Sequence, residues 1–145
     1  MTQRMNFFEL APEAVGMMRE IEKYTRKSNI DRKLQELIKI RVSQINGCAF
    51  CLNMHTIEAR KIGETEQRLY CVSAWRDCTF YSEKEKVALE LAEQITLISK
   101  NDVSDDLFDR VRIHYTEKEY LDLIVLINQI NSWNRLSIAT GAMAE

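Results

Sequence analysis

The sequence predicts an all-α fold, a compact bundle of about seven helices, and three observations carry that expectation. Proline occurs once and glycine four times in 145 residues, while Glu, Lys, Leu, Ile and Ala are plentiful, a composition that favours helix throughout. Apolar residues recur at spacings of three and four along most of the chain, the period of a helix with one buried face. The residues that open these runs are polar types that cap helices, and two of them form the Ser/Thr-x-x-Glu pattern of a capping box. At this length the chain fits one domain, residues 1–145, and can bury a core without disulfides or metal.

After about ten irregular residues, Pro12 suits the first turn of a helix to Arg26, because a first-turn N–H has no intrahelical partner to lose. Asp31 is placed to cap the next helix, whose Leu34, Leu37, Ile38, Val42 and Ile45 share a face up to Asn46 and Gly47. Gly47 suits the end of that helix, and Cys48 opens a third that runs to Ile62 and stops at Gly63. A fourth is expected from Thr65 to Trp75, with Leu69, Cys71 and Val72 inside. Ser82-Glu83-Lys84-Glu85 introduces a fifth through Ala88, Leu91, Ala92, Ile95 and Ile98, ending near Asn101. Ser104 caps a sixth bearing Leu107, Val111 and Ile113, and Thr116-Glu117-Lys118-Glu119 begins the last. That last helix, with Leu121 and Leu123 through Ile127 and then Ile130, is apolar nearly all round. Such a helix needs cover on every side, so a homo-oligomer is expected.

With 20 Lys and Arg against 22 Asp and Glu, a formal charge of -2 and no basic face, the chain is not expected to bind nucleic acid. No stretch is long and apolar enough to span a bilayer, and the opening MTQRMNFFEL lacks the apolar core of a secretory signal. A cytoplasmic protein with no membrane partner is therefore expected. In that compartment thiols stay reduced, so a close cysteine pair reads as catalytic or metal-binding instead of structural.

Such a pair stands in Gly47-Cys48-Ala49-Phe50-Cys51-Leu52-Asn53-Met54-His55. On a helix Cys48, Cys51 and His55 fall on one stripe, because neighbours are three and four apart. A thiol with a reference pKa of about 8.5 is only a few per cent thiolate at pH 7. A helix N-terminus contributes roughly 0.3 to 1 kcal/mol, less than the 1.36 kcal/mol of one pKa unit. A second group must help, and His55, one turn beyond Cys51, is placed to take its proton. If the chain reverses at Gly47, Glu36 lies about 16 Å and His55 about 12 Å from the turn, at 1.5 Å per residue. Glu36 is thus a candidate to orient His55 or to act as a base, with Ser43 and Gln44 as supporting groups.

Glu36, eleven intervening residues, Cys48-Ala49-Phe50-Cys51 and His55 resemble the AhpD-like alkylhydroperoxidases of the carboxymuconolactone decarboxylase family. The resemblance extends through the following residues to EQIT and to the ending INSWNRLSIATG, roughly residues 30 to 140. It implies an all-α fold assembled as trimers or hexamers and reduction of hydroperoxides by the cysteine pair. It further implies that Cys51 is oxidised to a sulfenic acid, that Cys48 resolves it as a disulfide, and that Glu36 and His55 relay the proton. Such chemistry uses no metal or organic cofactor, but it needs an external thiol, protein or small molecule, as reductant. Some peroxidase members are longer and carry a histidine between the cysteines where this chain has Phe50. The lactone decarboxylases of the same fold usually lack the pair, which leaves a carboxymuconolactone decarboxylase-like lyase as the second reading. A non-catalytic helical oligomeric binding protein is the third.

The other chemistry-bearing residues are read plainly. The Cys-x-x-Cys with its nearby His could be part of a zinc site, but zinc takes four ligands, and the remaining candidates Cys71, Cys78 and His114 show no paired spacing. Cys71 is expected in the core, Cys78 in a loop, and His114 on the surface. Trp133, Asn134 and Arg135 are expected at a subunit interface, with the wall of the site as the alternative.

Overall fold

The computed structural model describes residues 2–145 and is all-helical, with no strand among the described residues. The helices are α1 (Phe7–Leu10), α2 (Pro12–Arg26), α3 (Arg32–Asn46), α4 (Ala49–Lys61), α5 (Glu66–Cys71), α6 (Glu83–Thr96), α7 (Asp105–His114) and α8 (Glu117–Thr140), with a 3-10 helix over Val72–Asp77. The capping residues act as expected: Asp31, Thr65, Ser82, Ser104 and Thr116 each accept a backbone N–H in the first turn. Both capping boxes form, with Glu85 and Glu119 closing the reciprocal bond. Among the described residues no helix is long and apolar enough to cross a membrane.

Helix α3 lies at the centre and packs against α4, α6 and α8. Every residue from Leu34 to Ile40 is buried, so this helix buries more than the one apolar face its spacing predicts. The additional buried side chains are polar: Gln35, Glu36, Lys39 and Ser43. Gln35 donates to the carbonyls of Thr25 and Ile30 and so satisfies the turn that joins α2 to α3. Gly47 ends α3 with a φ of 70°, a left-handed conformation that glycine adopts without strain. The chain reverses there. Asn46 then holds the turn by donating to Asn131 and Asn134 of α8, and Asn134 donates to Ser43 at 2.9 Å.

Three expectations are corrected. The N-terminal stretch is not wholly irregular, because Asn6 caps the single turn α1 and Arg4 binds the Thr140 carbonyl at 2.8 Å. A side chain at Gly141 would meet the Thr2 carbonyl at 2.5 Å, so the two ends of the chain pack directly together. The segment from Thr65 to Trp75 is not one helix: it breaks into α5 and a 3-10 helix kinked at Ala74, with Trp75 anchored by donating to Glu93 at 2.9 Å. Helix α6 ends at Thr96 instead of near Asn101, which leaves Ile98 exposed, and Ile113 on α7 is exposed too. Within one chain, α8 buries Leu123, Leu126, Ile127 and Ile130 and leaves Leu121 58% exposed, because its neighbours cover only part of its circumference.

Candidate active site

Cys48 is the N-cap of α4, and its sulfur accepts the backbone N–H of Cys51. The two sulfurs are joined as a disulfide, and both residues are buried. Helical spacing sets His55 one turn beyond Cys51, also buried. Reversal at Gly47 brings His55 level with Glu36, and His55 Nδ1 lies 2.8 Å from Glu36 Oε2. The four residues singled out in the sequence are therefore brought together. With Glu36 ionised, Nδ1 carries the proton and Nε2 is the ring nitrogen left to exchange one.

Burial by itself would raise the Glu36 carboxyl. The hydrogen bond to His55, with the charges of Lys39 and Arg32, outweighs it and holds Glu36 below the ordinary glutamate value. Lys39 was not singled out by the sequence, yet it is 2% exposed and sits between two carboxylates, 3.5 Å from Glu36 and 3.1 Å from Glu22. Glu22 in turn accepts from the Trp133 indole at 3.2 Å. The signal for Lys39 lay in the spacing: Glu36, Lys39 and Ser43 recur at three and four along the face of α3 beside the apolar one.

A cavity of about 470 Å³ opens onto this network. Its walls include Cys51, His55, Glu36 and Lys39, together with Phe50 and Trp133, whereas Cys48 does not line it. Ser137 Oγ lies 3.8 Å from Cys51 Sγ, where its hydroxyl can donate to the sulfur. Trp133 thus takes the alternative place foreseen for it, the wall of the site. Asn134 is buried beneath the site and Arg135 is exposed, bonded to Asn131. Of the supporting groups, Ser43 is fully buried on Asn134, and Gln44 accepts from Arg41 away from His55.

The remaining cysteines and His114 lie outside this cavity. Cys71 is only partly buried, not in the core, because α5 ends there and the chain enters the 3-10 helix. Cys78 ends that helix, and its thiol donates to the Ala74 carbonyl at 3.5 Å. His114 closes α7. Among the described residues no three His, Cys, Asp or Glu side chains are grouped to hold a metal ion.

A helical bundle that buries a Cys-x-x-Cys at a helix start, with its central helix alongside, defines the AhpD-like class of proteins. The chain belongs to the carboxymuconolactone decarboxylase family, whose sequence pattern matches residues 12–94. It is similar to the uncharacterized protein YdfG of Bacillus subtilis (strain 168), at 60% identity over 144 residues, covering 99% of this chain and 98% of that one. Among solved structures it is similar to a protein of unknown function from Agrobacterium tumefaciens, described as a candidate antioxidant defence protein AhpD. That match has a TM-score of 0.95, 34% identity and 99% of both chains covered. The alkylhydroperoxidase AhpD core of an uncharacterized peroxidase-related protein from Ralstonia eutropha JMP134 shares the fold, with a TM-score of 0.83 at 15% identity over 95% of this chain and 74% of that one.

Proposed function

We propose that this chain is a thiol-dependent peroxidase that reduces organic hydroperoxides through Cys51 and Cys48. The observation that carries the reading is that Cys51 alone of the two sulfurs lines the cavity, beside a histidine bonded to a buried carboxylate. A nucleophile needs a base within reach and a third group to orient that base, and Cys51, His55 and Glu36 are residue types suited to those roles. The likeness to a candidate antioxidant defence protein supports the same activity.

In the reduced protein His55 takes the Cys51 proton, and the thiolate is further supported by the N-terminal turn of α4 and the Ser137 hydroxyl. The thiolate attacks the distal oxygen of RO–OH, the O–O bond breaks, and the alkoxide leaves as ROH with the proton held by His55. Cys51 is then a sulfenic acid. The Cys48 sulfur attacks Cys51 Sγ, and the thiol proton leaves with the hydroxyl as water, which gives the disulfide. Two external thiols of the reducing cytoplasm restore the pair and become a disulfide themselves.

The test is to reduce the protein, add one equivalent of cumene hydroperoxide, and take intact mass and a peptide map within seconds. Loss of two hydrogens as a Cys48–Cys51 disulfide is expected, with a trapped sulfenic acid on Cys51 in Cys48→Ser. Unchanged thiols would end the peroxidase reading.

The reading includes a homo-oligomer, a trimer or hexamer. Met17, Ile21 and Leu121 are exposed on α2 and α8, which pack side by side, so a second copy would cover apolar surface there. Sedimentation velocity of the wild type and of Leu121→Glu checks this: a trimer or larger is expected for the first and a shift toward monomer for the second. A monomeric wild type would remove the oligomer from the reading.

A further inference from the structure

The cavity over Cys51 carries more charge than a neutral peroxide needs. Its carboxylates are engaged: Glu36 by His55 and Lys39, Glu22 by Lys39 and Trp133, and Glu58 by Lys61 at 2.6 Å. Arg19 and Arg26 line the same cavity and have no carboxylate within ion-pair distance among the described residues. Seven residues apart on α2, they share one face about 10 Å from end to end, and Glu22 between them is paired with Lys39. The Arg19 guanidinium stands 5.7 Å from the centre of the Phe8 ring, so charge and apolar surface meet at one point.

Phe8, Phe50, Met54 and Glu58 belong to two cavities at once. Beyond them lies a second space of about 520 Å³, between the N-terminal residues, the outer face of α4 and the C-terminal residues, with Phe7, Ile57 and Met143 in its walls. The two spaces therefore share a seam that is apolar apart from Glu58, which Lys61 engages, with the arginines on the Cys51 side.

We infer that the substrate is an amphipathic organic hydroperoxide with a carboxylate head, of the fatty-acid hydroperoxide class. The carboxylate pairs with Arg19 or Arg26, whose planar guanidinium can hold it bidentately. The peroxide group meets Cys51 in the same cavity, and the apolar chain passes Phe50 and Met54 into the second space. The reaction step rests on the peroxidase reading; the recognition of an anion joined to an apolar chain does not.

Two measurements separate these. The first compares kcat/KM for linoleic acid hydroperoxide and for its methyl ester, below the micellar range, in the wild type and in the double variant Arg19→Gln/Arg26→Gln. The acid is expected to be preferred at least tenfold by the wild type, with the difference in KM, and the ratio is expected to fall to near one in the double variant. The ester serves as reference within each protein, so a general loss of activity does not imitate this result. Equal use of acid and ester by the wild type, or a preference that survives the double substitution, would overturn the inference and leave the peroxidase reading standing. If no hydroperoxide reacts, the peroxidase reading falls. The second measurement then decides recognition alone: oleate is expected to bind the wild type at least tenfold more tightly than the double variant, followed by the tryptophan fluorescence to which Trp133 of the cavity wall contributes, and equal affinities overturn the inference.

Discussion

Lys39 and Glu36, one turn apart on α3, bury an ammonium and a carboxylate 3.5 Å from each other, and the same ammonium reaches Glu22 on α2 at 3.1 Å. Pairs of this kind add little net stability, because both ions give up water, but removing one partner strands the other in a poorly solvated site. Lys39→Met would leave Glu36 and Glu22 facing each other without the cation between them. The expected cost is about 3 to 5 kcal/mol at pH 7, or roughly 10 to 20 °C in Tm for a chain of this size. Urea unfolding measures it. A loss below about 1 kcal/mol, the scale of an exposed pair, would show that water enters and the network does not depend on Lys39.

The direction of the Glu36 shift sets a pH dependence. Its folded pKa is depressed, through the His55 bond and the Lys39 and Arg32 charges against the opposing effect of burial. Ionised Glu36 therefore contributes its full stabilisation above the unfolded glutamate value of about 4.3. That contribution is lost as pH falls through the lower folded value. Glu93 is lowered by Arg76 and Arg41, and Glu85 by Arg68, each against burial, so they add slope of the same sign. Urea midpoints between pH 6 and pH 3 are expected to fall steadily in the wild type and less steeply in Glu36→Gln, which has no proton to take up there. Identical slopes would mean that folding does not shift the Glu36 carboxyl from its unfolded value.

What could be read from the sequence followed chain-local rules. Asp31, Ser82 and Thr116 marked helix starts because a cap acts within one turn, and Gly47 marked the reversal because its left-handed backbone is local too. Once the reversal was placed, rise per residue brought Glu36 level with His55. Lys39 shares the Glu36–Ser43 spacing, but a charge on a helix usually faces water, and its burial comes from the packing of α8 on α3 together with the Glu22 carboxylate of α2. For Trp133 the sequence offered an interface or the wall of the site, and the hydrogen bond that holds it at the wall goes to Glu22, 111 residues away, which no spacing reveals. The single turn α1 is too short to leave a periodic signal. Its place over the site depends on the pairing of the two chain ends at Thr140 and Gly141.

The second pair of thiols is expected to be slow. Partial burial pushes the Cys78 thiol up, and the neighbouring Cys71 adds to it. Only the thiolate alkylates rapidly, so in the reduced protein at pH 7.5 Cys78 should react with iodoacetamide more slowly than free glutathione does. Peptide mapping over a time course reads this directly. Cys71→Ser should speed Cys78, and a Cys78 that outpaces glutathione in the wild type would show that its surroundings favour the thiolate.

Cys51 is expected to behave in the opposite way, and His55 is the reason. The α4 N-terminus supplies roughly 0.3 to 1 kcal/mol toward a thiolate, short of one pKa unit. The rest must come from a group that can take the proton, and His55 is one turn away with its Nδ1 committed to Glu36 at 2.8 Å. Removing such a base costs about 100-fold or more. In stopped-flow oxidation of the reduced protein by cumene hydroperoxide, His55→Ala should therefore be slower by about that factor at pH 7, and the loss should shrink as pH rises toward 9, where solvent alone ionises the thiol. Glu36→Gln should fall between the two proteins, because it leaves the base in place and removes the carboxylate that orients it. Circular dichroism must show both variants folded. A His55→Ala protein that oxidises at the wild-type rate would move the source of thiolate stabilisation to the helix terminus and Ser137, and would take His55 out of the relay.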